Sequence, residues 1–372
     1  MKKILIFILI MTTSLLVGCE KKSNKKPLTP VDGCEVGTLE DGWVCVWADE
    51  FNGSEVDESK WNFEINDSGG GNNELQYYIK ENATITDGIL SITAKNEPYK
   101  TRAYTSSRIT TKYKGDFLYG RFQIRAKNPL GRGTWPAVWM MPTKSYYGGW
   151  PNSGEIDIME YVGYDETKTH HTIHTQAFNH KIGTQVGKSV SIDSTTDFLL
   201  YELIWEPGEL TWLIDGTEVF KFAYKERLHQ DKPYQQVFPF DKPFFLILNL
   251  AIGGDWGGAQ GIDSTAFPMS LDVDYVRVYQ KDYNYLDKKA PDKVTNVTKA
   301  KLDKTIFWDK GTDDVGVEYY NIYVNGELYD DATMNQYTFR LLDSGRHTIE
   351  IAAVDFTGKV GPRSERFEYI QP

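Results

Sequence analysis

The sequence predicts an all-β protein: a large two-sheet sandwich followed by a second, smaller one. Three observations predict it. Apolar residues recur at every second position in Tyr119-Gly-Arg-Phe-Gln-Ile-Arg-Ala126, with Phe122, Ile124 and Ala126 on one face and Arg121, Gln123 and Arg125 on the other, and again in Leu271–Gln280. Turn residues divide such runs: Leu199–Trp205 and Leu210–Ile214 flank Glu206-Pro207-Gly208-Glu209, which reads as a hairpin. Helical spacing is scarce, and Phe244–Ile252 is an apolar run with the length of a strand buried on both faces. Many short strands broken by Gly, Asn and Pro fit two stacked antiparallel sheets.

The 372 residues suit one large β domain plus a small one. The large domain is placed at 41–281, a polar linker at 282–292, and the small domain at 293–372. In the last segment, Tyr320–Val324 and Glu327–Tyr329 flank Asn325-Gly326, a tight-hairpin signal, while Trp308 and His347–Val354 supply core. That pattern fits a small Ig-like sandwich. Asp313-Asp-Val-Gly-Val-Glu-Tyr-Tyr-Asn-Ile-Tyr-Val-Asn-Gly326 and Ala353-Val-Asp-Phe-Thr-Gly358 resemble fibronectin type III modules of bacterial polysaccharide-degrading enzymes.

Residues 1–18 read as an export signal: Lys2-Lys3, the apolar run Ile4–Met11, then Leu16-Val17-Gly18-Cys19. The apolar run is too short to span a membrane. The Leu-Val-Gly-Cys ending resembles the bacterial lipoprotein cleavage box, which implies lipid on Cys19. Residues 19–40 then hold the lipidated cysteine and a polar, Pro-containing, flexible tether. The implied location is the bacterial cell surface or outer membrane, with membrane contact through the lipid anchor only. Cys34 and Cys45 remain, and an exported chain keeps disulfides; a bridge between them would close a short loop, two buried thiols being the alternative.

Net charge is −11, and cleavage before Cys19 removes Lys2 and Lys3 to leave −13. An acidic surface argues against nucleic acid, which needs Lys and Arg against phosphates. It argues less strongly against a sulfated polysaccharide, and a neutral glycan fits without strain. Tyr and Trp (23 and 10) outnumber Phe (18), a balance that suits a core and also a groove where sugars stack. No partner subunit is implied, so a monomer is expected.

Glu155-Ile-Asp157-Ile-Met-Glu160 places three acids in six residues. Alternation puts Glu155 and Asp157 on one face and Glu160 on the other. One extra residue at Met159, a β-bulge, returns Glu160 to the first face. Three stacked acids repel one another, and glycoside hydrolysis gives a reason to accept that cost. A retaining reaction needs a carboxylate nucleophile and a nearby carboxylic acid, and crowding raises one carboxyl pKa. An exposed acidic strand or a calcium site on one is the structural alternative.

Glu155-Ile-Asp157-Ile-Met-Glu160 resembles the bulged signature of glycoside hydrolase family 16. The resemblance spans about residues 46–280. It includes Trp47-Ala-Asp-Glu-Phe-Asn-Gly53, Gly71-Asn-Asn-Glu-Leu-Gln-Tyr-Tyr78, Tyr104-Thr-Ser-Ser-Arg108, Gly133-Thr-Trp-Pro-Ala-Val-Trp139, Gly148-Gly-Trp-Pro151, His170-His-Thr-Ile-His174 and Asn249-Leu-Ala-Ile-Gly-Gly-Asp-Trp256. Together these look most like laminarinases, which are endo-β-1,3-glucanases. The resemblance implies a concanavalin-like jelly-roll cleft and β-glucan as the polysaccharide partner. It also implies Glu155 as nucleophile, Glu160 as acid/base and Asp157 as helper to Glu155, with no cofactor for catalysis.

By the same resemblance, Trp150 stacks on the sugar beside the cleaved bond and Trp256 is a second platform. His174 lies in the cleft, while Asn73, Glu74 and Arg108 bond sugar hydroxyls. Trp135 and Trp139 share a strand face, to serve as cleft wall or as core. His170, Thr172, His174 and Gln176 share another, and a histidine such as His174 or His171 within reach of Asp157 or Glu160 would tune their protonation, a surface or core histidine being the alternative. Family members often carry a structural calcium, for which the matching positions are Glu50, Gly88 and Asp274; oxygen ligands suit that ion, and an ordinary salt bridge is the alternative. Asp274 alternates onto the face of Val276 and Val278. Agarase-like and mixed-linkage hydrolases, or a glycan-binding protein without turnover, stay as competing functions.

Overall fold

The computed structural model describes residues 28–31, 34, 37–39, 42–192, 197–224, 232–300 and 304–371. Two eight-stranded antiparallel sheets form the large domain. The first runs Thr217–Ala223, Glu209–Ile214, Leu199–Glu206, Gly120–Lys127, Met269–Lys281, Ile89–Ala94 and Ala83–Thr86, with Trp43–Asp49 also pairing to Met269–Lys281. The second runs Val186–Ser191, Lys168–His174, Glu155–Glu160, Thr134–Pro142, Phe244–Ile252, Arg108–Thr110 and Asn62–Phe63, with Asp116–Phe117 also pairing to Phe244–Ile252.

The alternating residues do what their pattern requires. Phe122, Ile124, Leu203, Trp205 and Trp212 of the first sheet meet Val138, Met140, Ile156, Leu246, Leu248 and Leu250 of the second in one core. At roughly 1.5–3 kcal/mol for each large apolar side chain removed from water, this contact is the main force holding the sheets together. All nine residues of Phe244–Ile252 are buried, as an apolar run without alternation demands.

Residues from 293 onward carry a separate core of Val294, Ile306, Trp308, Tyr320, Ile322, Ile351 and Tyr369. A four-stranded sheet (Glu327–Ala332, Val317–Val324, Gly345–Asp355, Phe367–Gln371) and a three-stranded one (Thr298–Lys299, Thr305–Phe307, Gln336–Thr338) enclose it. The segment expected as a linker is packed. Tyr283–Leu286 forms a helical turn, Tyr283 stacks on Phe356 at 4.2 Å, and Asp287 pairs with Lys359 at 2.8 Å.

The expected tether is corrected at its far end. Cys34 and Cys45 are bonded, and Val31 N–H donates to the Cys45 carbonyl at 3.1 Å, so the described residues before Trp43 lie along the first sheet. Cys19 and the export signal lie outside the described residues.

The strand Met269–Lys281 corrects a second expectation. Its register shifts between Val273 and Tyr275, so Asp274 is the extra residue of a bulge. Val273 and Val276 therefore both face the core, and Asp274 leaves the apolar face to pair with Arg125. Glu50 receives Arg277 Nε and Nη2, each at 2.7 Å, with both side chains under a tenth exposed. Breaking that pair strands a buried charge. Arg277→Met should lower unfolding stability by about 3–5 kcal/mol in denaturant titration, with much of the loss recovered in Glu50→Gln/Arg277→Met. Equal stability of the single and double variants would contradict the pairing.

Candidate active site

The acidic strand Glu155–Glu160 pairs with Thr134–Pro142 on one side and Lys168–His174 on the other. Opposite Lys168–His174, Asp157 faces Thr172 and Glu160 faces His170, so Ile158 and Met159 share the single position of His171. That is the bulge. Ile158 and Met159 both enter the core, fully buried, and Glu155, Asp157 and Glu160 all open onto one cleft.

A bulge leaves a backbone group without a ladder partner, and here His171 takes it. Its Nδ1 lies 2.7 Å from the Ile158 carbonyl oxygen, and Thr169 Oγ1 is 3.3 Å from its Nε2. A carbonyl only accepts, so Nδ1 carries the proton. Burial lowers the His171 pKa to about 4, which keeps the ring neutral and this tautomer fixed. From the opposite sheet, the Trp212 indole N–H donates to the Asp157 carbonyl at 2.9 Å. The strand is pinned from beside and from beneath.

The cleft holds about 940 Å³ and is lined by residues of the second sheet and its loops. Trp150 Nε1 donates to Glu155 at 2.8 Å, and Trp135 Nε1 donates to Glu160 at 3.1 Å. His174 Nε2 stands 3.4 Å from Asp157 Oδ2 and 3.7 Å from Glu155 Oε1. Burial raises the pKa of all three acids, and the charge of Glu160 raises Glu155 and Asp157 further. Groups this close titrate as a set, which retains protons near neutral pH. Burial also lowers the His174 pKa to about 4, with His180 adding to the effect, so the ring meets the acids as a neutral dipole.

The other sequence-derived positions divide. Trp139 and Arg108 line the cleft, with the guanidinium 4.9 Å from the Trp139 ring; Trp139 Nε1 donates to Asn249 at 2.7 Å, and Arg108 pairs with Glu64 at 2.9 Å. Trp135 and Trp256 meet edge to face at 5.5 Å on the cleft wall. Glu74 also borders the cleft, but it is buried and accepts from Gln76 (2.7 Å) and Tyr78 (3.2 Å). Gly70 passes so near that a Cβ there would lie 2.0 Å from Glu74 Oε1. Asn73 is absent from the lining; its amide donates to Asp255 at 2.8 Å, and Asn72 takes the wall position. Glu50 and Asp274 stand outside the cleft, each with an arginine partner, while Gly88 turns beside Asn52. As placed, these carboxylates fit ion pairs better than a calcium cage.

Several lining residues escaped the sequence as site candidates, among them Asn249, His170, His180 and Lys181. Asn249 was visible as a lone polar residue in an apolar run. His170 was visible on the face of His174; it packs against Trp256 at 4.8 Å. His180 and Lys181 come from the short 3₁₀ turn His180–Ile182, with the ammonium 5.0 Å from the Trp150 ring, and no local pattern marks them.

The model of the glycosyl hydrolases family 16 matches residues 71–277, which include the acidic strand. The chain belongs to this family. A "Beta-glucanase" of Rhodothermus marinus is 45% identical over 278 residues, spanning 72% of this chain and 92% of its own. The X-ray structure of the Rhodothermus marinus laminarinase aligns with TM-score 0.62 at 47% identity, covering 64% of this chain and 98% of that one. A mutant of SCLam, described as a non-specific endo-β-1,3(4)-glucanase from family GH16, aligns at 39% identity with TM-score 0.61, covering 69% and 100%; its crystal presents 1,3-β-D-cellobiosyl-glucose at the active site. For this family 16 chain the two packed sheets are thus a jelly roll.

The geometry makes two predictions. His171→Phe keeps a planar ring, somewhat larger, and removes the donor to Ile158, so stability should fall by about 1–3 kcal/mol and turnover with it; a variant as stable and active as the parent would show that the bulge does not need the imidazole. The acids have folded pKa values above their unfolded ones, so the folded state holds protons that the unfolded chain releases above about pH 4. The cluster therefore costs no stability at acid pH, costs progressively more as pH rises from the unfolded toward the folded values, and levels off above them. Glu160→Gln should melt above the parent by a few degrees at pH 8 and match it near pH 4; a gap independent of pH would contradict the raised values.

Proposed function

We propose that the protein hydrolyses internal β-1,3 bonds of laminarin-like glucans with retention of configuration. The observation that carries the proposal is the bulge that turns Glu155, Asp157 and Glu160 onto one cleft face, each outer acid meeting an indole N–H. Glu155 attacks the anomeric carbon while Glu160 protonates the departing glycosidic oxygen, giving a covalent glycosyl ester. Glu160 then takes a proton from water, and that water displaces Glu155. Asp157 holds a proton next to Glu155, and neutral His174 orients both without adding charge. Trp150 and Trp256 offer ring faces to sugars, with Trp135, Trp139 and Arg108 completing the floor. Glu74 and Asn73 shape the loop that borders it.

The relatives' names support a glucan substrate, and the breadth of SCLam supports some action on mixed-linkage chains. The same reading includes export with a lipid on Cys19, a monomeric enzyme, and a fibronectin type III-like fold for residues 293–372. A structural calcium held by Glu50, Asp274 and the Gly88 carbonyl also belongs to it, and would require both acids to leave their arginines. Removing calcium with a chelator should then lower the melting temperature by several degrees; an unchanged value would leave the ion pairs as the sole device there.

Incubation with laminarin should release short glucose oligomers, and Glu155→Gln should lose at least about 10³-fold in kcat. Cleavage of agarose or carrageenan in place of laminarin would sink the substrate assignment and keep the mechanism. Binding without cleavage of any polymer would sink both.

A further inference from the structure

The loop 143–154 joins the strand Thr134–Pro142 to the acidic strand and carries Trp150. It is closed on itself: Tyr147 N–H donates to Ser153 Oγ at 3.0 Å, and Ser153 Oγ–H donates to the Gly148 carbonyl at 2.7 Å. At its root, Thr143 N–H donates to the Pro243 carbonyl at 2.9 Å. Another bond leaves the loop. The Tyr147 phenol donates to Asp241, with both carboxylate oxygens at 2.8 Å.

Asp241 is 7% exposed, and burial raises its pKa. Besides Tyr147 it has Lys242 at 3.6 Å and, from the C-terminal sandwich, the Thr333 hydroxyl at 3.4 Å. Thr333 is not an isolated touch. Met334 packs against the core of the large domain, and the Tyr224 hydroxyl donates to Gln336 at 3.0 Å. The bend between Glu327–Ala332 and Gln336–Thr338 is thus seated on the large domain beside Asp241. At the other end of the loop, Trp150 donates to Glu155.

Contacts run from Thr333 through Asp241 to Tyr147, and the loop backbone, closed by Ser153, carries Tyr147 to Trp150 and its bond to Glu155. We infer that the C-terminal sandwich positions the Trp150 loop through Thr333, Asp241 and Tyr147, and so sets how a sugar ring is held beside Glu155. The inference rests on the glucanase reading of the cleft. Thr333, Asp241 and Tyr147 are positioning residues, since none reaches the cleft itself. A buried carboxylate suits the task, because it is costly to leave without donors and so holds both at fixed places. The second sandwich is then part of the active-site frame and not a spacer.

The test uses the full chain and two readouts: amide hydrogen exchange across 144–153, which needs no substrate, and kcat and KM on laminarin oligosaccharides. Tyr147→Phe and Thr333→Val/Gln336→Leu should each speed loop exchange about tenfold and raise KM several-fold, with kcat within about twofold. Thr357→Val is the control. It removes a domain contact to Asp287 away from the loop, and should leave loop exchange and KM as in the parent. Loop exchange and KM unchanged in Thr333→Val/Gln336→Leu would overturn the inference, as would an equal change in Thr357→Val. Faster exchange without any glucan cleavage by the parent would overturn the glucanase reading and leave the positioning contact standing.

Discussion

One extra residue in one strand is the constraint on which the site depends. Without the bulge at Ile158 and Met159, alternation would send Glu160 into the core and keep Glu155 and Asp157 in the cleft. With it, Ile158 and Met159 both serve the core while the three acids share a face. The bulge has its own requirements. His171 Nδ1–H caps the Ile158 carbonyl, and burial against the core keeps the ring neutral while it does so. Packing between the sheets and the chemistry of the cleft are therefore linked through a single imidazole.

Gathering three buried carboxyls is unfavourable, and the surrounding residues moderate the cost without cancelling it. One donor atom from each of Glu155, Asp157 and His174 lies within 4.8 Å of the other two. A cation there would quench the raised pKa values that proton transfer needs. The cleft supplies neutral dipoles in its place: two indole N–H groups and an uncharged histidine. Glu155 and Glu160 each keep a directed indole donor, Asp157 Oδ2 is buried beside the neutral imidazole without a hydrogen-bond donor, and none of the three gains a full counter-charge. The stability lost in this way is a cost that active sites commonly carry.

Much of this was legible in the chain. Period-2 runs such as Phe122, Ile124 and Ala126 give the face that enters the core, because the pleat leaves no other arrangement. The bulge in the acidic strand could be inferred because three acids had to share a face. The bulge at Asp274 could not, since nothing in Val-Asp-Tyr-Val signals an extra residue, and strict alternation put Asp274 on the wrong side. His171 lies out of phase with His170 and His174, and alternation says nothing about a partner such as the Ile158 carbonyl. Asn73 and Asn72 show the same limit: a left-handed residue at Asn73 turns the loop, and its neighbour reaches the wall instead. His180 and Lys181 enter from a single 3₁₀ turn, whose position follows from tertiary contacts and not from spacing.

The division of labour between Glu155 and Glu160 is the center of the account, and azide rescue tests it directly. Glu155→Ala and Glu160→Ala would each be given an activated aryl β-glucoside and sodium azide, with the anomeric configuration of the glycosyl azide read by NMR. The account predicts an α-azide from Glu155→Ala, where azide replaces the missing nucleophile, and a β-azide from Glu160→Ala, where azide attacks the glycosyl ester on Glu155. The opposite pairing, or a β-azide from Glu155→Ala, would contradict it.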